Sequence, residues 1–158
     1  MTSQNPGIFR DFAETRNIAF HEIDLHAGDP IPKLDDFDGL WVMGGSMDVW
    51  EEDKYPWLVE EKQAIRHAVK DLKMPFLGIC LGHQLVAEAL GGRAEKTPNH
   101  EIGLFEIKPT LEGRNHPLLK NFDVSDKWVN VHLVEITKAP EGSIILASSS
   151  QCSKIGRA

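Results

Sequence analysis

Gly78-Ile79-Cys80-Leu81-Gly82-His83-Gln84, residues 78–84, is the stretch that decides how the rest of the chain is read. It follows the apolar run Phe76-Leu77-Gly78-Ile79, which Met74-Pro75 separates from the segment before it. After it, Leu81 to Leu90 has helical spacing and stops at Gly91-Gly92, a good C-terminal signal. A cysteine therefore sits between a buried strand and a helix, with glycines two residues before and two after. A nucleophile on a sharp strand-to-helix turn needs that arrangement, because side chains at the flanking positions would collide with neighbouring backbone. A free thiol is only a few per cent ionised at pH 7, and amides at a helix start favour its anion. The bland alternative is a buried, inert cysteine between two packing glycines.

Working outward, Asp38-Gly39 leads into Leu40-Trp41-Val42-Met43, a second short apolar run, stopped by Gly44-Gly45. It reads as another buried strand. Its glycine pair lies where open α/β sheets place their ligands, and backbone N–H groups there can face a developing oxyanion. A plain strand-end turn would use the same residues. Pro56 to Leu72 has a helical stripe of Leu58, Ile65, Ala68, Val69 and Leu72. Ile18 to Leu25 alternates as a half-covered strand would. Asn5-Pro6 offers a cap and first-turn proline for a helix carrying Ile8, Phe9, Phe12 and Ala13 on one face. Further on, Ile102 to Ile107, Trp128 to Leu133 and Ser143 to Leu146 are strand-like. The expected fold is α/β: one domain over residues 1–158, with a mostly parallel open sheet flanked by helices and a β-rich C-terminal part.

The totals agree with a soluble domain. At 158 residues the chain is long enough to bury roughly 70% of its unfolded surface. Seventeen basic against 24 acidic side chains give −7, and an acidic surface repels phosphate backbones, so nucleic acid is not an expected partner. No apolar run reaches the ~20 residues of a membrane helix, and no membrane partner is expected. Cys80 and Cys152, the two cysteines, form neither a disulfide framework nor a zinc motif. Without a secretory pattern at the N-terminus, the expected location is cytoplasmic. The seven histidines lack HExxH spacing, and Asp48, Glu51, Glu52 and Asp53 read as a solvated acidic loop, so neither a metal nor a cofactor is expected.

Four segments carry a resemblance, in order along the chain: Val42-Met43-Gly44-Gly45-Ser46-Met47, Tyr55-Pro56-Trp57-Leu58, the stretch 78–84, and Glu101-Ile102-Gly103. Together they resemble the class I glutamine amidotransferases, most of all the stand-alone GMP-synthase-like type. The resemblance implies a flavodoxin-like three-layer fold. It also implies that Cys80 attacks the side-chain amide of glutamine, releasing ammonia and leaving a γ-glutamyl thioester. Backbone amides around Gly44, Gly45 and Leu81 would hold the oxyanion, and Gln84 would fix the substrate. His132 matches a family histidine and is a second candidate for the glutamine pocket, although a strand-end histidine bonded to backbone is the plainer reading. Glu101 also fits a family position, or is a solvated loop carboxylate. Cys152 reads as a passive thiol.

The resemblance also marks departures. The family draws its base and orienting group from a late His-x-Glu motif, and no histidine after Cys80 is followed by that pattern. Leu146-Ala147-Ser148-Ser149-Ser150 resembles the segment that precedes the motif in the family, so a member lacking that strand and the family's first strand is expected. Three functions remain open at this point: glutaminase activity feeding a synthase partner, a non-catalytic glutamine-binding or regulatory domain, and hydrolysis of γ-glutamyl peptides. An unpaired sheet edge would favour a homodimer.

Overall fold

Short apolar runs bounded by glycine and proline become short buried strands, and longer periodic runs become helices. The computed structural model describes residues 7–122 and 127–157, so the expected Asn5-Pro6 cap lies outside the described residues. The chain falls into two compact units, Met1–Val86 and Ala87–Ala158.

In the first unit, α1 (Ile8–Thr15) is followed by an irregular segment, then β1 (Leu40–Val42), α2 (Trp57–Arg66) and β2 (Phe76–Gly78). Strands β1 and β2 pair in parallel, Leu40 with Phe76, Trp41 with Leu77 and Val42 with Gly78. The α2 helix runs on through one π turn over His67–Asp71, and Lys73, at φ 53°, closes it in the left-handed region. Leu58 and Ile65 are its fully buried residues, and Leu34, Ala68 and Met74 form a core cluster with Ile31, Phe37 and Leu72 packed against it. Phe9 and Phe20 both bring their rings against Trp41, at 5.5 and 5.6 Å.

The strand expected over Ile18 to Leu25 does not form. Side chains take its backbone into a turn instead: Asp24 Oδ1 accepts from Ala27 N, and Asp29 Oδ2 accepts from Asp24 N. Aspartates that bond nearby backbone compete directly with a strand ladder. The alternating residues Ile18 and Phe20 are left exposed.

Helix α3 (Leu81–Ala89) follows β2. The second unit contains β3 (Arg93–Glu106), β4 (Lys108–Pro109), α4 (Leu111–Asn115), β5 (Lys127–Lys138), β6 (Ile145–Ser148) and β7 (Gly156–Arg157). Strands β3 and β5 form a long antiparallel ribbon, and β4, β6 and β7 form a second antiparallel sheet in that order. Thr110 caps α4 by accepting from Gly113 N, and its hydroxyl donates to Ile145 O at 2.7 Å, tying the helix to β6. Buried Ile107, Val134, Ile136, Leu146 and Ala147 line the core of this unit.

The α/β class is as expected, but the balance of the pairings is not. Among the described residues, parallel pairing is confined to β1 and β2, and the other three pairings are antiparallel. Length accounts for the difference. Parallel strands here are three residues each, whereas the alternating runs after residue 93 extend over 14 and 12 residues and pair as a ribbon. No helix among the described residues is long and apolar enough to cross a membrane.

Candidate functional site

The first unit builds its site from backbone. Where β2 ends, Ile79 N donates to Val42 O at 2.9 Å and extends the parallel ladder by one bond. The chain then turns within one residue. Cys80 takes φ 52°, a left-handed value that costs a side chain with a Cβ of order 1 kcal/mol or more. Its carbonyl accepts from Gln84 N at 3.1 Å, so α3 begins directly behind it. The thiol is free and exposed at the head of that helix.

The flanking glycines permit this turn. A Cβ on Gly82 would lie 2.2 Å from Val42 O, and one on Gly78 would lie 2.6 Å from Gly82 O. Both obstacles are backbone, so neither can swing away. Gly82 N donates to Met43 O and to Ile79 O, at 3.2 and 3.0 Å, pinning the helix start onto the end of β1. The Gly44-Gly45 loop follows β1 at the same end, and a Cβ on Gly45 would meet the Leu81 side chain at 2.7 Å. The expected site residues Gly45, Cys80 and Leu81 are thus brought together, and Gln84 is buried one turn into α3. The acidic loop beside α2 is bonded internally. Glu51 Oε2 accepts from Asp48 N at 2.9 Å, and Lys62 Nζ donates to Val49 O and Glu52 Oε1, both at 2.6 Å.

In the same unit, Glu61 on α2 keeps one carboxylate oxygen buried with no hydrogen-bond partner. Burial pushes its carboxyl up from 4.5 to about 7. No local pattern signals this, since a lone glutamate in a helix reads as surface.

The second unit holds a side-chain network. Glu101 lies on β3, fully buried, and is not the solvated loop carboxylate that its neighbours suggest. Its oxygens accept from Asn130 Nδ2 at 2.8 Å and from the Ser149 hydroxyl in a short bond. His132 is its cross-strand partner in the ribbon, with Nε2 3.4 Å from Glu101 Oε2. His132 therefore stands within β5 against a carboxylate, not at a strand end against backbone. A buried carboxylate needs donors on its lone pairs, and Asn130 and Ser149 provide them. The contact to His132 is longer and outside hydrogen-bond geometry, and becomes an ion pair when the ring is protonated. Ser149 Oγ also accepts from Cys152 N at 2.9 Å, closing the turn that carries the second cysteine. Cys152 is buried, and burial above all pushes its thiol up, which keeps it protonated and unreactive. Asn130 and Ser149 carry no motif of their own; the serine run 148–150 is the only local hint. Among the described residues, no cluster of three or more His, Cys, Asp or Glu side chains could hold a metal ion.

The family model "Glutamine amidotransferase class-I" matches residues 7–157. A glutamine amidotransferase-like protein of Salmonella typhimurium is 32% identical over 156 residues, covering 94% of this chain and 63% of that protein. One chain of a glutamine-hydrolysing GMP synthase from Saccharolobus solfataricus is 36% identical over 121 residues, covering 77% of this chain and 60% of the relative. Among solved structures, a glutamine amidotransferase from Methylobacillus flagellatus superposes with a TM-score of 0.86 at 30% identity, covering 98% of this chain and 60% of the other. One from Thermotoga maritima gives 0.83 at 27% identity, covering 96% and 65%. The chain spans less than two thirds of the length of each of these relatives.

Proposed function

Because this chain belongs to the class-I glutamine amidotransferase family, we propose that it hydrolyses the side-chain amide of glutamine through Cys80. The Cys80 thiolate attacks the amide carbon, and the carbonyl oxygen becomes an oxyanion held by backbone N–H groups around Gly44, Gly45 and Leu81. The C–N bond breaks, the nitrogen takes a proton and leaves as ammonia, and a γ-glutamyl thioester remains. Water then cleaves the C–S bond, giving glutamate and the free thiol. Gln84, one turn into the helix, and His132 are assigned to holding the glutamine. Two of the relatives are separate chains of glutamine-hydrolysing GMP synthases, and on that likeness the ammonia is assigned to a synthase partner.

The observation that carries this reading is the Cys80 turn. A left-handed cysteine, exposed at a helix start between two glycines that no other residue can replace, is costly to build. A packing cysteine needs none of it, as buried Cys152 illustrates in the same chain. One donor of an oxyanion site is ordinarily worth ~2.7–4 kcal/mol in the transition state, enough to justify the strain.

The test uses a diazo-ketone analogue of glutamine, which needs the nucleophile and its oxyanion site but no ammonia release. Peptide mass spectrometry is expected to find one adduct on Cys80, slowed by added glutamine and absent from Cys80→Ser. Adduct on Cys152 alone, or labelling that glutamine does not slow, overturns the assignment.

A further inference from the structure

The β3–β5 ribbon is two-faced in an unusual sense. In an antiparallel pair, residues opposite one another share a face and successive residues alternate. Glu101, Asn130 and His132 lie on one face, and Glu101 is fully buried. The other face carries Ile102 opposite Val131 and Leu104 opposite Val129, with Leu133 continuing the row. These five aliphatic side chains are 48–74% exposed. A ribbon normally turns its apolar side inward and its polar side to water. Here the arrangement is inverted, and the contiguous apolar surface is on the order of 500 Å², at the upper end of what a monomer leaves uncovered.

We propose that this face is a homodimer interface, in which the ribbon of one chain packs face to face on the ribbon of a second copy. Its self-complementarity singles out that occupant. With a two-fold axis along the ribbon, β3 of each copy lies over β5 of the other. Each cross-strand rung then meets its own reverse: Ile102 faces Val131, Leu104 faces Val129, and Glu106 faces Lys127, the next rung of the register. Apolar meets apolar through the middle, and opposite charges meet at the end. The uncharged centre also matters for a chain of net charge −7, since two copies can approach there without setting like charges together. Standard interfaces bury ~800 Å² per partner, so the patch would supply most of an interface core with a polar rim around it. Packed sheets lie ~10 Å apart, a spacing that interdigitated Ile, Leu and Val side chains fill.

Sedimentation equilibrium of the whole chain tests the proposal, independently of any glutaminase activity. The expected result is a dimer whose dissociation constant rises at least about tenfold in Val131→Asp, which would bury a charge against aliphatic side chains. Glu106→Lys sets lysines opposite one another across the axis and is expected to weaken the dimer, and the double exchange Glu106→Lys with Lys127→Glu to restore it. Should Val131→Asp fail to fold, that charge series decides alone. A chain that stays monomeric at high concentration overturns the proposal, as does a dimer indifferent to these changes. A monomer that instead binds a synthase chain through the same five residues assigns the face to a hetero-partner and also refutes the homodimer.

Discussion

The Cys80 turn and the Glu101 network are built from opposite materials. Around Cys80 the constraints are backbone on backbone: ladder bonds from Val42 and Met43, a left-handed φ, and glycines pressed against carbonyl groups. Around Glu101 they are side chain on side chain, from Asn130, His132 and Ser149, which lie 29 to 48 residues away in sequence. The first kind of site tolerates almost no change of residue at its glycines but little depends on side-chain rotamers. The second depends on several distant residues being present together, and each of them could be exchanged in a way that keeps the backbone.

The largest test of this contrast is Gly82→Ala. The added methyl would sit 2.2 Å from a carbonyl oxygen of β1, and 2.8 Å from its carbon. Neither strand nor helix can yield without breaking the Gly82–Met43 bond. A loss of about 4 kcal/mol is expected, read as a fall in the urea midpoint with little change in slope. A loss under about 1 kcal/mol would mean that the turn relaxes freely, and the backbone account of the site would fail.

That same division explains what the sequence made legible. Glycine spacing around Cys80 and the two apolar runs before it are local signals, and the strand, turn and helix lie where those signals are. Glu101 and His132 are visible as residues but not as a pair, because their register depends on a bulge between Lys96 and Glu101 that no local pattern encodes. Ile18 to Leu25 shows the converse failure. Its alternation promises a strand, but Asp24 and Asp29 capture the backbone first. The apolar face of the ribbon is equally hidden, since Ile102, Leu104, Val129 and Val131 read in sequence as ordinary inward positions of strands.

The two buried glutamates sharpen the comparison at intermediate size. Glu101 has donors on both oxygens, whereas Glu61 has a buried oxygen with none. Burial raises the folded-state value of Glu61 from 4.5 to about 7. Between those values the folded chain binds more protons at this site than the unfolded chain. Stability therefore falls as pH rises through the window from about 4.5 to about 7, and levels off above it. The full difference is roughly 3 kcal/mol. Glu61→Gln removes the ionisation, so its stability relative to the parent should grow across that window and be greatest above about pH 7. Parallel pH profiles of the two proteins would show that the unpaired oxygen has found a donor or water.

The smallest effect is also the one that bears most directly on purpose. Cys80→Gly removes the Cβ from a left-handed position, and glycine holds φ 52° without steric cost. Against that gain stands the greater freedom of glycine in the unfolded chain, which offsets part of it. A net stabilisation of about 1 kcal/mol or less is expected, measured as a rise in Tm of a few degrees, with complete loss of labelling by the glutamine analogue. A residue that lowers stability where it stands is kept for what its side chain does. If the glycine variant were instead less stable by several kcal/mol, the Cys80 thiol would be contributing packing. The turn would then belong with the Glu101 network, held by side chains, and the reading of its strain as the cost of a nucleophile would be lost.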